Sequence, residues 1–271
     1  MDCIRELCRS IGELPAAPWV ERMVDGLHHG TGGSPFLVLQ ALALVVERGV
    51  LQVGESGWEC VDSGALRSLV DGSSVVASRI AGLSHAEQFI LLVGALAGGS
   101  LPASALETLA RERTGSDAAM RELEARGLIL RAGDTLRPAH DELVAQAQQQ
   151  AGAGACCAAH LVVADQLSAR GAGDPESLRE IGVHYHAAGE YDRVIPLFER
   201  FVGARRVAGD LRPPDVLAHE FLGDGTPDEL RTLVRALPLA HRRPNVGKQF
   251  IVASIAIVLL FSGFSDVRGF G

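Results

Sequence analysis

The chain has 271 residues, 47% of them apolar and 5% aromatic, and carries a formal net charge of −8. That length fits two or three modules with small cores, and a composition dominated by Ala, Leu, Val and Gly excludes an aromatic-rich β-sandwich in favour of close-packed helices. The acidic balance excludes nucleic-acid binding by bulk charge, while five cysteines (Cys3, Cys8, Cys60, Cys156 and Cys157) without a C-x-x-C pair exclude a disulfide framework or zinc site and fit a reducing cytosol.

The opening residues, MDCIRELCRS, scatter charge and hold no apolar stretch, so they are not read as a signal peptide. The first clear element starts at Ser34-Pro35, where Ser34 can cap a helix and Pro35 suits its first position. Phe36, Leu39, Leu42, Val45 and Val46 recur at helical spacing up to a stop at Gly49. Val50–Val53 and Trp58–Val61 flank Gly54-Glu55-Ser56-Gly57 and read as a short hairpin.

The pattern is helical again from Val75. Ser84-His85-Ala86-Glu87 is a capping box, opening a helix with Phe89, Leu92, Val93 and Leu96 inward. A second helix starts at Leu101-Pro102, and a third runs from Ser116 to Arg126. Two short strands, Leu128–Arg131 and Thr135–Arg137, then meet across Ala132-Gly133-Asp134. Three helices followed by a β-hairpin make a winged helix, after which His140-Asp141 opens another helix.

The stretch AQQQAGAGACC reads as a helix end plus linker. Asp174-Pro175-Glu176 restarts the helices, and LREIGVHYHAAGEYDRVIPLFERF carries Ile181-Gly182-x-x-Tyr185, a turn at Ala188-Gly189-Glu190, and a second amphipathic helix containing Pro196. This segment resembles a tetratricopeptide repeat, which normally needs about three copies for a stable solenoid. Thr226-Pro227-Asp228-Glu229 caps one more helix, ended by Pro238.

Phe250 to Phe264, FIVASIAIVLLFSGF, is uncharged and follows Arg242, Arg243 and Lys248. It falls short of the roughly 20 residues that span a bilayer comfortably. A buried core helix and a membrane segment both fit it; the basic flank favours a membrane segment with its N-terminal side cytoplasmic.

Three motifs in order are similar to STAND-class (AAA-like) bacterial signal-transduction ATPases. HHGTGGSPFLVLQALALVVERGVLQ…GW resembles the lid of that class, in which a G-x-P motif opens a helix and its proline packs near the adenine; here the motif is Gly33-Ser34-Pro35. Ala139-His140-Asp141-Glu142-Leu143-Val144 resembles the His-Asp that follows the wing, whose histidine contacts the β-phosphate of ADP. An imidazole at a helix start can donate to an anion already favoured by exposed N–H groups. The tetratricopeptide-like helices come third. Taken singly, Ser34-Pro35 also reads as a simple helix start, and Asp141 as an N-cap with His140 as packing.

No G-x-x-x-x-G-K-[ST] occurs, nor an apolar run ending in acidic residues for a Walker B strand; Asn245-Val246-Gly247-Lys248-Gln249 lacks the first Gly and the Ser/Thr. The resemblance therefore implies a fragment C-terminal to the P-loop core, not an enzyme by itself. It needs no cofactor in isolation and meets ADP or ATP in a complete parent through Gly33, Pro35 and His140.

The expected fold is mainly α: a helical lid with a short hairpin over 1–72, a winged helix over 73–150, tetratricopeptide-like α-hairpins over 155–245, and an apolar helix over 246–266. The expected partners are the missing N-terminal ATPase core and a protein held by the tetratricopeptide-like surface, with the membrane as a further partner through 250–264. The expected location is the cytoplasm, with the 250–264 run as a single C-terminal anchor to the inner membrane. A stand-alone helical interaction module is the alternative. A DNA-binding regulator is disfavoured, because SDAAMRELEAR sets Arg121 and Arg126 against Asp117, Glu122 and Glu124. His28-His29 and His184-x-His186 lack ligand spacing, since residues two apart on a helix face different ways.

Overall fold

The computed structural model describes residues 2–70, 75–223 and 225–238. The chain is mainly α-helical with two small antiparallel hairpins, and it divides into two compact units, one ending at Ala159 and the other starting at His160.

The first unit begins with α1 (Asp2–Ile11), α2 (Pro18–Thr31), α3 (Pro35–Glu47), the hairpin β1 (Leu51–Gly54) and β2 (Gly57–Cys60), and α4 (Ser63–Val70). Their apolar faces meet in one core that includes Cys8, Met23, Leu27, Val38, Leu42 and Trp58. Trp58 fixes the hairpin to the N-terminal helices: its indole Nε1–H donates to the Cys8 carbonyl at 2.9 Å, and its backbone N–H to the Glu13 carbonyl at 2.9 Å. The register pairs Gly54 with Gly57, leaving Glu55-Ser56 as the loop.

Gly57 has φ +107°, and a Cβ there would lie 2.2 Å from the Glu13 carbonyl oxygen. Both the backbone angle and the close approach require glycine. Gly57→Ala is expected to cost about 1–3 kcal/mol, read as a lower melting temperature by tryptophan fluorescence, since Trp19 and Trp58 both belong to this unit. An unchanged melting temperature would refute the account.

The expected winged-helix order follows: α5 (Val75–Ala81), α6 (His85–Ala97), α7 (Ala103–Thr114), α8 (Ala118–Ala125), β3 (Ile129–Ala132) and β4 (Thr135–Pro138). The capping box at Ser84 and Glu87 is formed reciprocally. Pro102 is the N-cap of α7 and not its first helical residue; it bridges Thr135, while Ala103 N–H donates to the Asp134 carbonyl, so the wing is tied back to the helices. The third helix is shorter than expected because Ser116 and Asp117 are spent in the preceding turn, where Thr114 and Ser116 side chains make local bonds.

The expected linker is instead helical. One element, α9 (Asp141–Ala169), runs through AQQQAGAGACC and is interrupted only at Gly152, whose φ 73° and ψ 167° are glycine geometry. Alanine has the highest helix propensity, so the residues flanking Gly152 remain helical.

In the second unit the later part of α9 is followed by α10 (Pro175–Ala187), α11 (Tyr191–Val207), α12 (Pro214–Leu222) and α13 (Pro227–Ala236). These form two successive α-hairpins, α10–α11 and α12–α13, with α12 packed on both helices of the first. The Ile181-Gly182-x-x-Tyr185 pattern has a packing purpose. Phe221 from α12 enters so closely that a Cβ on Gly182 would sit 2.2 Å from its Cζ. Phe198, Phe201 and Phe221, all buried, pack as one aromatic cluster. Pro196 lies inside α11 on its exposed side, where the lost backbone bond faces water.

Among the described residues no helix is long and apolar enough to cross a membrane. The 250–264 run, expected as an anchor, lies outside the described residues, as does everything after 238.

Candidate functional site

The α2–α3 connection is built from glycine. Gly32 and Gly33 have φ of 57° and 79°, so the backbone reverses tightly between the two helices. Thr31 holds the turn: its hydroxyl donates to the Leu27 carbonyl at 2.5 Å and accepts the Gly33 N–H at 3.3 Å. Ser34 occupies the N-cap position with extended backbone and Pro35 the first helical one, but Ser34 makes no side-chain bond to the first turn. The cap expected from Ser34 is therefore positional only. Pro35 is exposed, and Gly33 is half-buried with its Cα region facing His28.

His140 caps α9. Its Nδ1 accepts the Glu142 backbone N–H at 3.2 Å, the role that sequence reasoning offers to Asp141. An Nδ1 that accepts leaves the proton of the neutral ring on Nε2, so His140 presents an N–H at an exposed ring edge. The two motifs then meet. The Phe36 ring, next to Pro35, stacks on the His140 ring at 4.5 Å between centroids and 9° between planes. Gly33, Pro35 and His140, about a hundred residues apart in sequence, flank one ring contact.

Further along α3 the same helix is tied to the winged helix through Arg79 of α5. Arg79 is 2% exposed. Its guanidinium donates to Gln40 Oε1, to Glu47 Oε1 at 2.7 Å and to the Arg126 carbonyl at the C-terminus of α8 at 2.9 Å, while its Nε is buried without a partner. Burial pulls the Arg79 pKa below the usual arginine value, against the pull of Glu47. Nothing in VVASRIA distinguishes this arginine from a solvated one, and only the tertiary contacts identify it.

In the second unit His184 and His186 face different ways, as their spacing requires. His184, 7% exposed, places its Nδ1 2.9 Å from Nδ1 of His160 on α9. His186 Nε2 lies 3.2 Å from Glu229 of α13. Burial, and then the neighbouring His160, push the His184 pKa down to about 4, and burial lowers that of His160. Among the described residues no group of three His, Cys, Asp or Glu could hold a metal ion. On the winged helix, Arg126 pairs with Glu122 at 2.6 Å, and Arg131 of the wing pairs with Glu107 and Glu124 at 2.8 and 2.9 Å.

No protein-family model, no curated protein and no solved structure matches this chain.

Proposed function

We propose that this chain is the regulatory part of a STAND-type signalling ATPase, in which lid and winged helix sense which nucleotide an ATPase core on another segment holds. The observation that carries the reading is the stack of Phe36 on His140, which joins the G-x-P turn to the His-Asp helix start. In this reading Gly33 and Pro35 face the adenine, and His140 Nε2–H donates to a phosphate oxygen near the uncapped N-terminus of α3. Hydrolysis belongs to the core, since this chain has no P-loop sequence. The exposed apolar residues Leu39 and Val46 lie on α3 along the same side as Pro35. A core seated on the lid would cover them.

The test joins this chain to its ATPase core and measures ADP retention. His140→Ala removes one hydrogen bond to a charged group, worth about 1.5–3 kcal/mol, so ADP is expected to dissociate roughly ten- to a hundredfold more readily. Unchanged ADP affinity would remove His140 from the site and the reading with it.

A second reading, a helical interaction module, has its own observation. A cavity of about 290 Å³ in the second unit is floored by Val194, Ile195, Leu222 and Leu233, with His186 and Tyr191 at its rim. It fits an apolar side chain of a protein partner. DNA binding is disfavoured in both readings because Arg126 and Arg131 are already paired with glutamates.

A further inference from the structure

The face of α3 turned to the winged helix is unusual in what it carries. Phe36, Gln40 and Glu47 fall within about 40° of one another around the helix and span about 16 Å along it. The opposite face, with Val38, Ala41 and Val45, fills the lid core. The seam is thus fixed at two places, by the Phe36–His140 stack near its start and by Arg79 further along.

We propose that Arg79 is a positioning residue for His140, acting through α3: it sets the rotation and height of the helix on the winged helix, and so holds the Phe36 ring against the imidazole. The geometry gives three reasons. Arg79 reaches two residues of α3 a little under two turns apart, which fixes both rotation and translation. A guanidinium is planar and presents its donors in a rigid fork, so its bonds to Gln40, Glu47 and the Arg126 carbonyl define one orientation. Apolar side chains in its place would fill the volume without choosing among neighbouring rotations of a helix that is apolar nearly all round. The consequence for nucleotide sensing rests on the reading above; the positioning of His140 does not.

The experiment is side-chain NMR of the full chain, following the His140 ring protons and, as a control for the lid core, the Trp58 indole N–H. Stacking beneath Phe36 holds the His140 ring protons upfield, and Phe36→Leu releases them. Arg79→Met, which keeps volume and removes the fork, is expected to shift the His140 protons toward their Phe36→Leu positions while Trp58 stays in place. Glu47→Gln, a milder change at the exposed end of the same network, is expected to give a smaller shift in the same direction and serves if Arg79→Met does not fold. His140 resonances that keep their wild-type positions in a folded variant overturn the proposal. So does a joint loss of the His140 and Trp58 signatures in Glu47→Gln, since Arg79 then merely supports the fold. If His140 moves as expected but ADP retention in the joined protein does not change, the positioning role stands and the nucleotide reading falls.

Discussion

Lowering the pH from 7 to 4.5 is expected to remove about 3 kcal/mol from the stability of the second unit. The cause is the His160–His184 contact. Two Nδ1 atoms at 2.9 Å share one proton between them; a second proton places two N–H donors head to head in a largely buried site. His184 therefore titrates at about 4 when folded and near its ordinary 6.5 when unfolded. Above 6.5 both states are neutral and the stability is complete. Between 6.5 and 4 the unfolded chain binds a proton that the folded one refuses, so stability falls as pH falls, and His160 contributes with the same sign.

Glu229 and Asp210 are both held down at about 2, Glu229 by the backbone and hydroxyl of Thr226 and Asp210 by the side chain of Arg212. Their own losses begin only below the ordinary carboxylate values, so pH 4.5 isolates the histidines. Both tyrosines, Tyr185 and Tyr191, lie in this unit and both tryptophans in the other. Denaturant midpoints read by tyrosine thus report the unit that holds the pair. A midpoint independent of pH over this window would refute the assignment, and His184→Gln is expected to flatten the dependence.

Phe221→Ala is expected to cost about 3–5 kcal/mol, the largest effect of any single truncation considered for this chain. Its ring is fully buried, touches Phe198 and Phe201, and occupies the space that Gly182 leaves open on α10. Gly182→Ala alone is expected to cost about 1–3 kcal/mol, because a methyl group 2.2 Å from a packed aromatic carbon forces α10 and α12 apart. The double variant separates this account from general loss of core. With the ring gone the new methyl has room, so the pair is expected to be less destabilised than the sum of its members, by 1 kcal/mol or more in a double-mutant cycle. Strict additivity in urea titrations would show that the glycine is not there for the ring.

How far these features are legible in sequence depends on the range of the interaction that makes them. Capping boxes, the two hairpins and the helix restart at Asp174 are local, and they appear within a residue or two of where they are read. The inward face of α3 is not legible. A helix apolar nearly all round has no preferred side by periodicity, so Leu39 and Val46, read as inward, are exposed, while Val38, Gln40 and Ala41 are buried. The linker reading failed because glycines that usually mark a boundary here break one helix at a single residue. The short α12 was missed, although Pro213-Pro214-Asp215 is a usable start signal.

The candidate site divides in the same way. Gly33, Pro35 and His140 were visible as motifs, while their meeting at Phe36 depends on tertiary packing. Arg79 and the His160–His184 pair carry no local signal at all.

The cap at the start of α9 limits what can sit beside it. With Nδ1 occupied by the Glu142 N–H, His140 has no lone pair left to offer, and whatever meets its free edge must supply one. A phosphate, a carboxylate or a carbonyl qualifies; an ammonium, an amide N–H or a metal ion does not. One backbone hydrogen bond, formed whether or not any ligand is present, has turned a two-sided ring into a one-way filter for electron-pair donors.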